Sequence, residues 1–302
     1  MPAFPNLLFV FGDQWRAQAC GYAGDPNVRT PNIDAFAAQS VNLRNAVSGY
    51  PVCSPYRASL LTGQYPLTHG MIVNDQRIRG NPASIADALN AAGYDTAYIG
   101  KWHVHGPRRS AFIPPEDRMG FKHWLGFECT HDESILIPFL LRWPASLGME
   151  AREVKSPLNS PDVMPTMLGL CGAPIPDSVE GCDFSPTILG EDEVDDGGAY
   201  LACYCPFHQI KYNTGGRDFR GLRTVRYTYV RDHLGPWLLF DNEADPYQMY
   251  NLAQNENLCA EFEAMLQRKL KKLNDPFALG CQLLRKFNVR MNEEWGDMHY
   301  EW

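Results

Sequence analysis

The sequence predicts an α/β fold: a mixed, largely parallel sheet with helices on both faces, followed by a small C-terminal antiparallel α+β subdomain. Three observations predict it. Leu7-Leu8-Phe9-Val10-Phe11 is a continuous apolar run of strand length. An alanine-rich helical stretch at 84–92, stopped by Gly93, feeds a second apolar run, Thr96-Ala97-Tyr98-Ile99, that ends at Gly100-Lys101. Beyond about residue 195 the texture changes to short alternating runs, which places one unit at 1–194 and the other at 195–302.

Taken in order, the run at 7–11 has the pattern of a strand buried on both faces, and it closes on Gly12-Asp13-Gln14. Thr30-Pro31 supplies an N-cap with proline at the first helical position, and Ile33, Phe36 and Ala37 supply the inward face. Alternation of strand and helix implies a sheet covered by helices, whose ligands bind beyond the carboxyl ends of the strands. Asp13 and Lys101 both fall at such ends. In the second unit, strands are expected at 200–205, 222–230 and 237–240, separated by Gly215-Gly216 and a turn at 232–236. A last helix is expected at 256–273, with Phe262, Met265, Leu266 and Leu270 at helical spacing.

With 302 residues the chain can bury a large core. Its formal charge of −8 gives no whole-molecule positive field for nucleic acid or an anionic membrane surface. A small anionic substrate therefore needs a local cluster of positive charge. Nine cysteines lack the spacing of a disulfide framework, and Met1-Pro2-Ala3-Phe4-Pro5-Asn6 has no basic n-region. A cytoplasmic setting, with neither membrane nor nucleic-acid partner, is the expectation.

The strongest chemical signal is Cys53-Ser54-Pro55-Tyr56-Arg57-Ala58-Ser59-Leu60-Leu61-Thr62-Gly63. It reads as a cysteine at the mouth of a short helix, with Pro55 in the first turn and Gly63 as the stop. The helix N-terminus carries partial positive charge and Arg57 adds a full one, so an anion at Cys53 is favourably placed. The second signal is Gly93-Tyr94-Asp95-Thr96-Ala97-Tyr98-Ile99-Gly100-Lys101-Trp102-His103. Read alone, each has a plain alternative: an inert packed cysteine, and an ordinary lysine after a turn.

Together, in this order, the two strings resemble the two signatures of the sulfatase family. The first carries the C-x-P-x-R spacing at Cys53, Pro55 and Arg57, with Tyr56 where a small residue is usual. The resemblance implies oxidation of Cys53 to formylglycine by a formylglycine-generating enzyme. The hydrated aldehyde then attacks the sulfur of a small sulfated substrate, oriented by Arg57, while Lys101 stabilises the developing charge and His103 serves as base. It also implies a calcium-type ion, Ca2+ or Mg2+, held by Asp13 and the Cys53-derived hydroxyl. Many members have two adjacent aspartates at that strand end; this chain has Gly12-Asp13.

The resemblance continues through 133–144, 162–172 and 239–252 but leaves out the family's middle. The segment that carries an Asp-His-Gly metal loop and a further substrate-binding lysine is absent, and its flanks meet at His131-Asp132. Two consequences are expected: an incomplete ligand set for the ion and exposed apolar edges on the sheet. A non-catalytic or truncated relative is therefore the main alternative. A metal-dependent phosphoesterase of the same superfamily, with an unmodified serine or threonine, is the lesser one. Among weaker constellations, His208 with Lys211 is a candidate substrate-binding pair. Cys203, Cys205 and His208 lack a fourth ligand for zinc, and Asp232-His233 falls in a turn.

Overall fold

The computed structural model describes residues 5–13, 15–106, 113–127, 139–148, 150–206, 216–246, 248–291 and 298–299. In chain order the first elements are α1 (Pro31–Ala37), β1 (Val41–Leu43), β2 (Ala46–Val47), α2 (Cys53–Thr62), α3 (Pro66–His69), α4 (Ile85–Ala91), β3 (Ala97–Lys101) and β4 (His123–Phe127). There follow β5 (Leu140–Leu141), α5 (Pro144–Leu147), β6 (Arg152–Val154), β7 (Leu158–Asn159), α6 (Ser160–Leu170) and α7 (Ser185–Leu189). Next come β8 (Ala199–Cys203), β9 (Phe219–Arg223), β10 (Tyr227–Asp232), β11 (Gly235–Asp241), α8 (Glu256–Lys272) and α9 (Gly280–Lys286), followed by the antiparallel pair β12 (Arg290–Met291) and β13 (Met298–His299).

The α/β class holds, with helices, parallel pairs and a C-terminal antiparallel sheet. Parallel pairing joins β3 to β4, β2 to β7 and β1 to β6, while β5 adds to β1 antiparallel. The C-terminal sheet is antiparallel in the order β11-β10-β9-β8. The single strand expected at 222–230 is two strands, β9 and β10, because Thr224 turns the chain: its amide donates to the Tyr227 carbonyl at 2.8 Å. Helix α8 buries Phe262, Leu266 and Leu270 against this sheet, as its spacing requires.

The run at 7–11 departs from expectation. It forms no ladder with any described residue, and its residues alternate between faces instead of being buried on both. Leu7, Phe9 and Phe11 pack on the core around Val41, Leu43 and Phe139, whereas Leu8 is 86% and Val10 79% exposed. An apolar run becomes a doubly buried strand only if strands flank it and a layer covers each face. Ile99 and Leu125, register partners across β3 and β4, are likewise exposed. In α1, Ala37 is buried as expected but Phe36 is 43% exposed.

Helix α2 is central. Leu60 faces the core built on β1, β6 and α6, while Ala58 and Leu61 face a second core containing Met71, Trp102 and Val104. Gly63 ends the helix with φ +66°, and a Cβ there would come within 2.8 Å of Val179. Its carbonyl accepts the amides of Glu180 and Gly181, both at 2.9 Å. Only glycine meets both demands, which accounts for the stop after Leu60-Leu61-Thr62. No helix among the described residues is long and apolar enough to cross a membrane.

Candidate active site around Cys53

Cys53 is the first residue of α2. The N-cap residue, Val52, has no side-chain cap to offer. Asn74 substitutes for it from outside the helix: its Oδ1 accepts the Ser54 amide at 3.0 Å. The first turn is thereby fixed beside Cys53, which is partly accessible while Ser54 and Arg57 are buried.

Strand β3 delivers the second half of the site. Gly100 has φ +113°, a conformation L side chains rarely adopt, and it directs Lys101 toward α2. The Lys101 ammonium donates to Cys53 Sγ at 3.4 Å and to Asp13 Oδ2 at 2.8 Å. Arg57, one helical turn beyond Cys53, donates through Nη2 to Asp13 Oδ1 at 2.7 Å and through Nη1 to the Lys101 carbonyl at 2.5 Å. Its guanidinium also lies 5.0 Å from the Phe11 ring centroid, where the ring face favours a cation. Tyr98 braces the same corner, its hydroxyl donating to the Lys101 carbonyl and receiving Arg57 Nη1 at 3.3 Å. The structure thus joins Asp13, Cys53, Arg57 and Lys101, residues that span 88 positions of sequence between Asp13 and Lys101.

His103 lies two residues past Lys101, with 1% of its surface exposed. Its Nε2 is 2.8 Å from Asp75 Oδ1. Burial holds the imidazole below the usual histidine range, opposed by the Asp75 hydrogen bond and charge and assisted by Lys101 and Arg57. Asp75, Asn74 and Tyr98 were not singled out in the sequence. Tyr98 lies within the second signature, but Asn74-Asp75 belongs to no motif and reaches the site only through the chain's return after α3.

Asp13, Cys53 and Arg57 also line a cavity of about 450 Å³ whose walls include Phe9, Phe36 and Phe139. His208 lies outside the described residues, as do Lys211 and the His131-Asp132 junction. Cys203 ends β8, and burial pushes its thiol up to about 12, which opposes the thiolate zinc needs. Among the described residues no three His, Cys, Asp or Glu side chains gather as a metal cluster.

The residues described do not fit a calcium-type ion. Such an ion takes about six to eight oxygen ligands. Asp13 is the one carboxylate assigned to it here, and both of its oxygens are engaged by the cations Arg57 and Lys101.

Residues 5–132 match the family model described as sulfatase, and residues 120–276 match that described as the N-sulphoglucosamine sulphohydrolase C-terminal region. The ulvan-active sulfatase of Formosa agariphila is 30% identical, the match covering 95% of this chain and 85% of the relative. That alignment runs over 440 positions against a chain of 302 residues, so well over a hundred positions of the relative have no counterpart here. An endo-4-O-sulfatase of Bacteroides thetaiotaomicron is 24% identical over 90% of this chain and 93% of its own length. A solved structure from work on glycosaminoglycan metabolism by Bacteroides thetaiotaomicron superposes with a TM-score of 0.77 at 22% identity, covering 91% of this chain and 98% of that one.

Proposed function

Because the chain belongs to the sulfatase family of sulfuric ester hydrolases, we propose that it cleaves a sulfate monoester through Cys53 oxidised to formylglycine. The observation that carries the reading is the Lys101 ammonium at 3.4 Å from Cys53 Sγ, with Arg57 buried one turn away. The substrate class we assign is a sulfated carbohydrate, supported by the likeness to the ulvan-active sulfatase over 95% of the chain.

Formylglycine, once hydrated, supplies a hydroxyl nucleophile for sulfur and expels sulfate on returning to the aldehyde. The sulfur of Cys53 marks where that oxygen stands. Lys101 places a full positive charge beside it, and the mouth of α2 adds the partial charge of its amides. Arg57 holds the Lys101 carbonyl and Asp13, which fixes where the ammonium points. His103, neutral because it is buried, is able to accept the proton released when sulfate departs. A formylglycine-generating enzyme is the partner this chemistry requires.

The test is mass spectrometry of the Cys53 peptide after co-expression with such an enzyme, together with sulfate release from an aryl sulfate. The aldehyde and turnover are expected together, and neither in Cys53→Ala. An aldehyde-bearing chain without turnover would establish the second reading, a non-catalytic relative. The observation favouring that reading is Asp13, whose two oxygens are both taken by cations.

A further inference from the structure

We propose that Asp75 is a positioning residue for His103, holding the imidazole as its Nε2–H tautomer so that Nδ1 keeps the bare lone pair. The inference deepens the sulfatase reading, on which the role of His103 rests.

Four observations carry it. Asp75 Oδ1 lies 2.8 Å from His103 Nε2, a distance at which an ionised carboxylate accepts an N–H. The other ring nitrogen, Nδ1, is buried and has no hydrogen-bond partner among the described residues. A buried polar atom without a partner is rare, and at a catalytic corner it marks an atom reserved for substrate or water. Third, both residues have left-handed backbones, Asp75 with φ +58° and His103 with φ +57°. Residues other than glycine adopt this conformation seldom, and a facing pair persists only where the surroundings fix it.

The fourth observation is what fixes it. The turn at 72–76 is closed on itself and attached to the mouth of α2. Gln76 Oε1 accepts the amides of Ile72 at 2.7 Å and Val73 at 3.0 Å. Asn74 accepts the Ser54 amide, and the Asp75 amide donates to Ser54 Oγ at 3.3 Å. The residue after Cys53 therefore holds Asn74 and Asp75, and Asp75 holds His103. Nucleophile position and base orientation are set by one turn, in the same way that a buried aspartate orients the histidine of a catalytic triad.

The experiment is ¹⁵N–¹H correlation spectroscopy of the His103 ring in the full chain labelled at histidine, assigned with His103→Gln, beside kcat and KM for sulfate release. The unmutated chain is expected to show His103 protonated at Nε2. In Asp75→Ala the ring loses that single tautomer, kcat falls about 10- to 100-fold and KM stays within about twofold. Asp75→Asn tolerates the left-handed backbone, so it separates loss of orientation from loss of fold; it is expected to keep the melting temperature and lose part of kcat. A ring protonated at Nδ1 in the unmutated chain, or a tautomer and kcat unmoved in Asp75→Ala, would overturn the proposal. If the chain releases no sulfate at all the sulfatase reading fails, and the ring spectrum still decides the role of Asp75.

Discussion

The Lys101 ammonium donates to the sulfur of Cys53 across 3.4 Å, although the two residues lie 48 positions apart on different elements. One begins a helix and the other ends a strand, so the contact depends on both elements stopping where they do. It also means that substitution of Lys101 acts on the reacting atom directly. Lys101→Ala is expected to lower kcat about 100- to 1,000-fold, the usual cost of removing a preorganised charge from such a site. Steady-state kinetics on an aryl sulfate measure it; a kcat within threefold of the unmutated chain would remove Lys101 from the chemistry.

Arg57 is expected to matter for stability as well as rate. It is buried, and its guanidinium joins Asp13, Tyr98 and the Lys101 carbonyl. Arg57→Ala removes a buried charge-assisted hydrogen bond to Asp13, which keeps only Lys101 as a cationic partner, and is expected to cost about 2–4 kcal/mol, read from urea denaturation. Arg57→Lys is expected to recover little, because one ammonium cannot span three acceptors set by a planar fork.

His69 predicts how stability depends on pH. Its Nδ1 accepts the Met71 amide at 3.2 Å, so Nε2 carries the proton toward Ser59 Oγ at 3.1 Å. Burial lowers its pKa from 6.5 to about 3. The unfolded chain therefore binds the proton first, and stability is fully present above pH 6.5 and lost progressively as pH falls toward 3. In His69→Gln that contribution to the acid limb should flatten. Thermal melts from pH 7 to 4 check it, and an unchanged slope would contradict the assignment.

The open apolar face predicts behaviour in solution. Ile99 and Leu125 are 78% and 71% exposed, and they face each other across β3 and β4. Ile99→Lys combined with Leu125→Glu is expected to reduce self-association in light scattering while shifting stability by less than about 0.5 kcal/mol per site. A double variant that unfolds would show that this face is covered in solution.

Much of the site was legible in the sequence because short-range rules govern it. Cys53 and Arg57 share a helix that the local Gly63 stops, and Lys101 ends the strand β3. What was not legible depends on contacts far apart in the chain. Asp75 reaches His103 only because Asn74 and Ser54 bind each other, which no spacing rule anticipates. The run at 7–11 failed for a related reason: its apolar residues announce a strand, but a ladder needs neighbours, and none of the described residues supplies one. The alignment with the Formosa relative, 440 positions against 302 residues, indicates polypeptide that this chain lacks.

The measurement closest to the central claim is sulfate release from a sulfated ester by the chain carrying formylglycine, set against Cys53→Ala and against the matching phosphate ester. The account predicts sulfate release that is abolished in Cys53→Ala and exceeds phosphate release from the matching ester. Equal release by Cys53→Ala, or a preference for the phosphate ester, would contradict it.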